Sequence, residues 1–266
     1  MLRSEAGFPI SPATTGDTIR QHNLLLIHGA WAGAWVWETI TPLLYEQGFE
    51  VKTIDLPGNG CDDTPAEAVD IGCYLCFLLA TIATIDGPLT VVAHSGAGVL
   101  ATALAEALPE RLDGVVIIAG MLLPSGVGFG ELVDGMIDAH PEAAGINPYL
   151  NWDARNVSTV PADAAREIFF QDLDPETAAQ AAQRLCPQPL GGLALVAQWT
   201  AERAGSVPRL YIEATEDRSV TLAVQRRMQA LVPGSTVVSL RAGHAPQVSQ
   251  PEAVAAAIGR FVGKLA

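Results

Sequence analysis

The chain has 266 residues, 49% of them hydrophobic and 17% charged, which is enough apolar material for a large core and leaves little for disorder. Its formal net charge of −14 repels phosphate backbones and anionic lipid, so nucleic acid and membrane surfaces are poor candidate partners. No apolar run reaches the roughly 18 residues of a membrane-spanning helix.

The N-terminal residues 1–21 are polar and rich in Pro, Thr and Gly, and we interpret them as a loose leader without the basic and apolar regions of a secretory signal. Four cysteines are too few for a disulfide framework in a chain of this length. Cys73 and Cys76 form a C-x-x-C within a helical pattern, which favours buried reduced thiols over a redox role. These features predict a cytoplasmic protein.

Short apolar runs then alternate with longer segments of helical periodicity. Strands are predicted, in chain order, over residues 24–27, 51–54, 89–92, 112–119, 209–214 and 236–240. Helices are predicted over residues 37–47, 71–85, 97–108 and 251–262. Continuous apolar strands separated by helices are typical of a parallel sheet covered on both faces. The pattern therefore predicts a doubly wound α/β fold with a mainly parallel, six-stranded sheet.

The alternation fails over residues 122–189, which are rich in Pro and Gly and contain helical patterns near 161–170 and 175–185. Excursions of this length in a compact domain are usually functional lids or inserts. We expect a helical cap here, inserted after the fourth strand, with the core formed by residues 22–121 and 190–266. The alternative is a decorative insertion far from any site.

Ser95 follows the third predicted strand and precedes a helix, in the sequence Ala93-His94-Ser95-Gly96-Ala97-Gly98. A serine on such a sharp turn needs small residues two positions before and after it, and alanine replaces the commoner glycine at both positions here. The turn projects the hydroxyl above the carboxyl ends of the strands, where open α/β sheets bind ligands. A serine at this place can also be structural.

A serine nucleophile needs a base, and His244 is the best candidate of the five histidines because it follows the last strand. His28 and His94 are interpreted as structural. The base needs a carboxylate acceptor, for which we choose Asp217, just beyond the fifth strand, with the adjacent Glu216 as its competitor.

The order Ser95, Asp217, His244 is the one expected of α/β-hydrolases. A tetrahedral oxyanion also needs two donors. The backbone N–H of Gly96 is one, and the N–H of Ala30, in the loop after the first strand, is the other.

Together these motifs resemble the α/β-hydrolase superfamily over roughly residues 22–263. Within it the chain is similar to the small esterases that include plant methylesterases, hydroxynitrile lyases and bacterial pyrethroid hydrolases. The segments that carry the resemblance are residues 28–35, 93–98, 208–217, 224–229 and 243–246. The resemblance implies an esterase with an apolar acyl or alcohol pocket roofed by the cap.

The sequence departs from the group at three positions. Many plant members have a histidine where this chain has Ala32. The hydroxynitrile lyases have a lysine after the catalytic histidine and a threonine beside the oxyanion loop, where this chain has Ala245 and Gly29. No ammonium is then available to hold cyanide, which disfavours the lyase interpretation.

A dinucleotide-binding interpretation competes for the same segment, because Gly96, Gly98 and Ala101 satisfy the G-x-G-x-x-G/A pattern. That motif also needs an acidic residue at the end of the next strand, and this strand ends at Ala119-Gly120. The sequence contains no H-x-x-H or H-x-H spacing, which would have indicated a metal site. We expect neither cofactor nor metal.

Apolar side chains in the oxyanion loop, after the fourth strand and in the cap are the candidates for the substrate pocket, although ordinary packing explains many such residues. The candidate pocket residues are Trp31, Met121, Leu122, Phe129 and Trp152. No arginine is clearly placed to bind a carboxylate, so a neutral ester is favoured.

The sequence thus predicts a cofactor-independent serine carboxylesterase that hydrolyses a small, apolar, uncharged ester through an acyl-enzyme. Its partner is the small-molecule ester, and a homodimer is possible. The same residues could also serve a thioesterase, lactonase, perhydrolase or carbon–carbon hydrolase, or the chain could be a non-catalytic ligand-binding member of the fold.

Overall fold

A computed structural model describes residues 21–265; the leader expected over residues 1–21 lies outside this range except for its last residue. The strands are β1 (Asn23–Ile27), β2 (Glu50–Thr53), β3 (Leu89–His94), β4 (Gly114–Ile118), β5 (Asn151–Trp152), β6 (Val157–Thr159), β7 (Gln188–Pro189), β8 (Arg209–Ala214) and β9 (Thr236–Leu240). The α-helices are α1 (Ile40–Glu46), α2 (Ile71–Ile82), α3 (Ala97–Ala107), α4 (Phe129–Asp134), α5 (Ala162–Ile168), α6 (Pro175–Gln183), α7 (Leu222–Leu231), α8 (Pro246–Ser249) and α9 (Pro251–Val262).

Six strands form the central sheet in the order β2–β1–β3–β4–β8–β9, and every neighbouring pair is parallel. Because side chains alternate along a strand, β1 buries Leu24 and Leu26 on one face and Leu25 and Ile27 on the other. The first face packs against α1 and α9, and the second against α2, α3 and α7. The predicted doubly wound fold with a six-stranded parallel sheet is confirmed.

Some strands and helices begin or end at residues other than those predicted, for reasons of local backbone geometry. The fourth strand was expected over residues 112–119 but spans Gly114–Ile118. It begins after Asp113, whose carboxylate accepts the Leu89 N–H, and it ends before Ala119, whose φ of +43° lies outside the extended region. The helix expected from residue 37 begins at Ile40, after a short 3₁₀ turn.

The inserted segment, residues 122–189, contains α4, α5 and α6 but is not purely helical. Its chain also forms a small antiparallel sheet in the order β5–β6–β7. Strands of two or three residues are too short to show an alternating pattern, which is why the sequence predicted only helices here. Phe169 and Phe170, at the end of α5, form an apolar cluster with α6 and with Trp31 of the core.

All the parallel strands point the same way, so their carboxyl ends lie at one edge of the sheet. The loops that leave β1, β3, β4, β8 and β9 therefore meet at this edge, beneath the inserted segment. Within residues 21–265, no helix is both long and apolar enough to cross a membrane.

Candidate active site

Ser95 lies on the tight turn between β3 and α3 that the sequence predicted. Its φ of +55° places it in the left-handed region, which a residue with a side chain adopts only when its surroundings hold it there. The Ser95 N–H donates to the Ile118 carbonyl at 3.1 Å, and the Ser95 carbonyl accepts the N–H groups of Gly98 and Met121 at 3.1 and 3.0 Å. These bonds tie the turn to β4 and to the start of α3.

Two glycines allow the backbone to pack closely around this turn. A Cβ on Gly98 would collide with the carbonyl of Met121. A Cβ on Gly120 would lie 2.9 Å from the Ser95 carbonyl oxygen. The small residues that the turn requires therefore include Gly98 and Gly120 as well as Ala93 and Ala97, the two that the sequence pattern identified.

Ser95, His244 and Asp217 form one hydrogen-bonded chain. The Nε2 atom of His244 is 3.1 Å from the Ser95 Oγ, and its Nδ1 is 2.8 Å from Asp217 Oδ2. Because a carboxylate only accepts, Nδ1 carries the proton and Nε2 is free to accept from the serine hydroxyl. All three side chains are buried.

The Asp217 carboxylate is held by its own loop. Its Oδ1 accepts the N–H groups of Ser219 and Val220 at 2.7 and 3.0 Å, while Oδ2 accepts from His244 and, at 3.4 Å, from Gln225 Nε2. The fully buried Gln225 of α7 spans this loop by donating to the carbonyls of Ala214 and Val220 at 3.0 and 2.7 Å. The loop is thus braced on both sides of the carboxylate.

The competing acid, Glu216, faces away from the imidazole. Its carboxylate pairs with the exposed Arg241 at 2.6 Å. The geometry therefore favours Asp217 over Glu216 as the partner of His244.

His94 and His28, interpreted as structural, make backbone contacts around the site. His94 Nε2 donates to the His244 carbonyl at 2.7 Å, which fixes the backbone of the candidate base. Burial, then the neighbouring His244, lowers the pKa of His94 to about 3. His28 Nε2 accepts the Leu56 N–H at 3.0 Å, and burial lowers the pKa of His28. Both rings are therefore neutral near pH 7.

The two expected oxyanion donors lie beside the serine. Ala30 and Gly96 line the same cavity as Ser95, and Gly96 immediately precedes α3, where backbone N–H groups are free. Among residues 21–265, no protein acceptor takes the N–H of Ala30 or of Gly96. Both are therefore available to a negatively charged oxygen above Ser95.

The inserted segment contacts the loops that carry Asp217 and His244. Gln171 Nε2 donates to the Glu216 carbonyl at 2.8 Å, and the Asp172 carboxylate accepts the Gly243 N–H at 2.6 Å. Phe169 lies between the His244 ring and the Trp31 ring, with centroids 5.2 and 6.0 Å away. The insertion is thus part of the site's framework, which argues against a purely decorative role.

A cavity of about 390 Å³ opens above Ser95 and Gly96. Four of the five predicted pocket residues line it: Trp31, Met121, Phe129 and Trp152. The fifth prediction is not met, because the Leu122 side chain is fully buried in the core beneath. Leu122 packs into the core cluster that contains residues of α2 and α3, which removes it from the cavity, whereas Met121 is only partly buried and lines the cavity.

The sequence reasoning missed a large part of the cavity wall. The missed residues include Ile146, Leu150, Leu190, Leu193, Leu195, Val196 and Val220. The run that begins at Leu190 had been assigned to the core, although its irregular pattern and two glycines were a signal of a loop. Among residues 21–265, the side chains that line this cavity include no Asp, Glu, Lys, Arg or His.

Comparison with known proteins shows the family to which this chain belongs. The model described as "Alpha/beta hydrolase family" matches residues 24–257. The pyrethroid hydrolase of Sphingobium wenxiniae is 29% identical, with 90% of this chain and 87% of that protein covered. Methylesterase 7 of Arabidopsis thaliana is 25% identical over 94% of this chain and 100% of that protein. The crystal structure of the pyrethroid hydrolase PytH has a TM-score of 0.79 at 29% identity, covering 91% of this chain and 98% of that one.

The chain therefore belongs to the alpha/beta hydrolase family. The resemblance drawn from the sequence motifs is confirmed, including the group of pyrethroid hydrolase and plant methylesterases. These relatives also bear out the prediction that the protein is an enzyme of the hydrolase class.

Proposed function

We propose that this protein is a serine carboxylesterase for neutral, mainly apolar carboxylic esters. One observation carries the proposal: the hydrogen-bonded chain of Asp217, His244 and Ser95 ends at the floor of a cavity lined by uncharged side chains. A serine paired with an imidazole that is itself oriented by a carboxylate is the arrangement for nucleophilic acyl transfer. The esterase names of the relatives support the same chemistry.

The mechanism follows from the geometry. His244 Nε2 takes the Ser95 proton as Oγ attacks the ester carbonyl carbon, and the N–H groups of Ala30 and Gly96 stabilise the oxyanion. The imidazolium, stabilised by Asp217, then protonates the leaving alcohol oxygen, which leaves an acyl group on Ser95. Water attacks this acyl-enzyme with His244 again as base, releasing the acid and restoring the serine.

The cavity supports a substrate that is apolar but not necessarily small. A volume of about 390 Å³ lies within the range of about 300–1,000 Å³ of pockets for drug-sized ligands. We propose that residues 122–189 act as a cap that, together with the wall from Leu190 to Val196, encloses the larger part of the ester. A cytoplasmic location and a homodimer stay as predictions, checked by cell fractionation and by light scattering.

The lyase alternative needs a lysine ammonium to hold cyanide. Ala245 follows His244 where the lyases have that lysine, and no lysine of the described part of the chain lines the cavity. Thioesterase, lactonase and perhydrolase activities use the same proposed residues and differ only in the leaving group or acceptor. A panel of p-nitrophenyl esters, matched thioesters and lactones separates these activities.

The test of the proposal combines that panel with Ser95→Ala. We expect ester hydrolysis by the wild type and a loss of kcat of about 10⁴-fold or more in the variant, because such residues act as a unit. A fluorophosphonate probe should label the wild type on Ser95, as located by peptide mass spectrometry. A Ser95→Ala variant that keeps a tenth of the wild-type turnover, or a wild type that the probe does not label, would refute the proposal.

A further inference from the structure

A ring of three buried polar side chains lies behind the loop that carries Ala30. Gln188 of β7, Asn59 after β2 and Tyr74 of α2 are each only 1% exposed. Asn59 Nδ2 donates to Gln188 Oε1 at 2.9 Å, Gln188 Nε2 donates to the Tyr74 hydroxyl at 3.2 Å, and that hydroxyl donates to Asn59 Oδ1 at 3.0 Å. Within the ring each side chain donates one hydrogen bond and accepts one, so the ring closes on itself.

The Oε1 atom of Gln188 can accept a second hydrogen bond, and the backbone of Trp31 donates it. The Trp31 N–H donates to Gln188 Oε1 at 3.2 Å. The Trp31 carbonyl accepts the Cys186 N–H at 2.8 Å, and its indole N–H donates to Ser158 Oγ at 3.0 Å. All three polar groups of Trp31 are therefore held by β6, β7 and the residues just before β7, in the inserted segment.

Trp31 needs this support because of its backbone conformation. Its φ is +58°, a left-handed conformation that is sterically unfavourable for a bulky residue. A tryptophan adopts it stably only where its surroundings hold the backbone. The bonds from Gln188 and Cys186 fix the peptide groups on both sides of its Cα.

Fixing Trp31 also fixes Ala30. Gly29, on the other side of Ala30, lies so close to Ser95 that a Cβ on it would be 2.7 Å from the Ser95 Cβ. Ala30 is thus confined between a close contact with the serine turn and the anchored peptide of Trp31. The direction of its N–H, the candidate oxyanion donor, is set by these two constraints.

We infer that Gln188 is a positioning residue for the oxyanion hole: by holding the Trp31 backbone it aims the Ala30 N–H at the reacting oxygen. The inference rests on the proposed esterase function. Gly192, which lines the cavity, packs so tightly on the ring that a Cβ would overlap the Gln188 amide and the Tyr74 hydroxyl. The ring therefore lies directly behind the cavity wall, not at a remote point of attachment.

The test replaces Gln188 with methionine, which fills a similar volume but neither accepts from Trp31 nor completes the ring. We expect kcat for p-nitrophenyl butyrate to fall by about 10- to 100-fold, up to the cost of losing one oxyanion donor, with KM within about threefold of wild type. A trifluoromethyl ketone analogue, which adds to Ser95 as a tetrahedral oxyanion, should bind more weakly by the same factor. The matching methyl ketone, which resembles the ground state, should bind unchanged.

Two further variants keep the test decisive. Thr90→Val is the matched control, because it removes a fully buried hydroxyl, 2.9 Å from His22 Nε2, at the opposite end of β3. It should lower stability without changing kcat. If Gln188→Met does not fold, Tyr74→Phe opens the same ring by a single hydroxyl, and we expect a loss of about three- to tenfold in kcat and in trifluoromethyl ketone affinity.

The contradicting outcome is a folded ring variant that loses stability but keeps wild-type kcat and wild-type affinity for the trifluoromethyl ketone. The ring would then only attach the inserted segment to the core. Failure of the esterase proposal is distinguishable, because in that case the wild type itself would hydrolyse no ester and would not be labelled by the fluorophosphonate.

Discussion

At the scale of single residues, the site depends on which of two adjacent carboxylates faces the imidazole. Asp217 is buried and accepts from His244 at 2.8 Å, whereas Glu216 pairs with Arg241 on the surface. A neutral amide at position 217 would no longer require the Nδ1 proton and would allow the unproductive tautomer of His244.

We therefore expect Asp217→Asn to lower kcat by about 10³- to 10⁴-fold. Glu216→Gln is the matched control, with kcat expected within about threefold of wild type because an exposed ion pair contributes little. Steady-state kinetics on one p-nitrophenyl ester measures kcat for both variants. The reverse ranking would exchange the roles of the two acids.

The buried imidazole of His94 predicts a pH dependence of stability. In the unfolded chain it binds a proton near its ordinary pKa of 6.5, whereas burial and the neighbouring His244 lower the folded pKa to about 3. As pH falls below about 6.5, the unfolded state takes up a proton that the folded state does not, so stability is lost progressively down to about pH 3.

His94→Gln removes this proton uptake while keeping an amide N–H for the His244 carbonyl. We expect the free energy of unfolding, measured with urea between pH 4 and 6, to depend less steeply on pH in the variant. The difference between the two slopes should reach up to about 1.4 kcal/mol per pH unit, which is the value for one proton. Parallel pH profiles for the two proteins would show that His94 does not set this dependence.

At the scale of elements, the residues after α5 connect the inserted segment to two loops of the sheet. Gln171 donates to the carbonyl that precedes Asp217, and Asp172 accepts the N–H that precedes His244. The loops that carry the candidate base and its acceptor are therefore both hydrogen-bonded to the inserted segment.

Asp172→Ala should lower kcat about tenfold, because the His244 loop loses its acceptor and small displacements of reacting groups are costly. Asp172→Asn keeps an oxygen for the Gly243 N–H and should retain most of the wild-type kcat. Kinetics and thermal unfolding of both variants separate an effect on the site from a general loss of stability. Equal kcat values in the two variants would show that the hydrogen bond from the Gly243 N–H to the residue at position 172 does not position His244.

At the scale of the whole molecule, charge and cavity both select against anionic substrates. The net charge of −14 repels them at a distance, and within residues 21–265 the cavity wall has no cationic side chain to pair with a carboxylate. Burying an unpaired carboxylate costs several kcal/mol. Neutral p-nitrophenyl butyrate should therefore have a kcat/KM at least about 100-fold above that of the anionic p-nitrophenyl hemisuccinate.

Val196, 37% exposed at the cavity wall, allows this selectivity to be reversed in part. Val196→Arg should raise the relative rate on the hemisuccinate, whereas Val196→Gln, of similar length but uncharged, should not. A hemisuccinate rate equal to the butyrate rate in the wild type would mean that the ester does not enter this cavity.

The amino-acid sequence alone predicts the sheet, the turn that carries Ser95 and the order of Ser95, Asp217 and His244. Periodicity, turn residues and position after a strand are local signals, and parallel strands bring their carboxyl ends to one edge without further information. Three features follow only from the packing in three dimensions: Leu122 is buried in the core, the run from Leu190 to Val196 lines the cavity, and Gln188 accepts the Trp31 N–H. Those contacts join residues far apart in the chain, and their geometry depends on how the inserted segment packs, which no local pattern encodes.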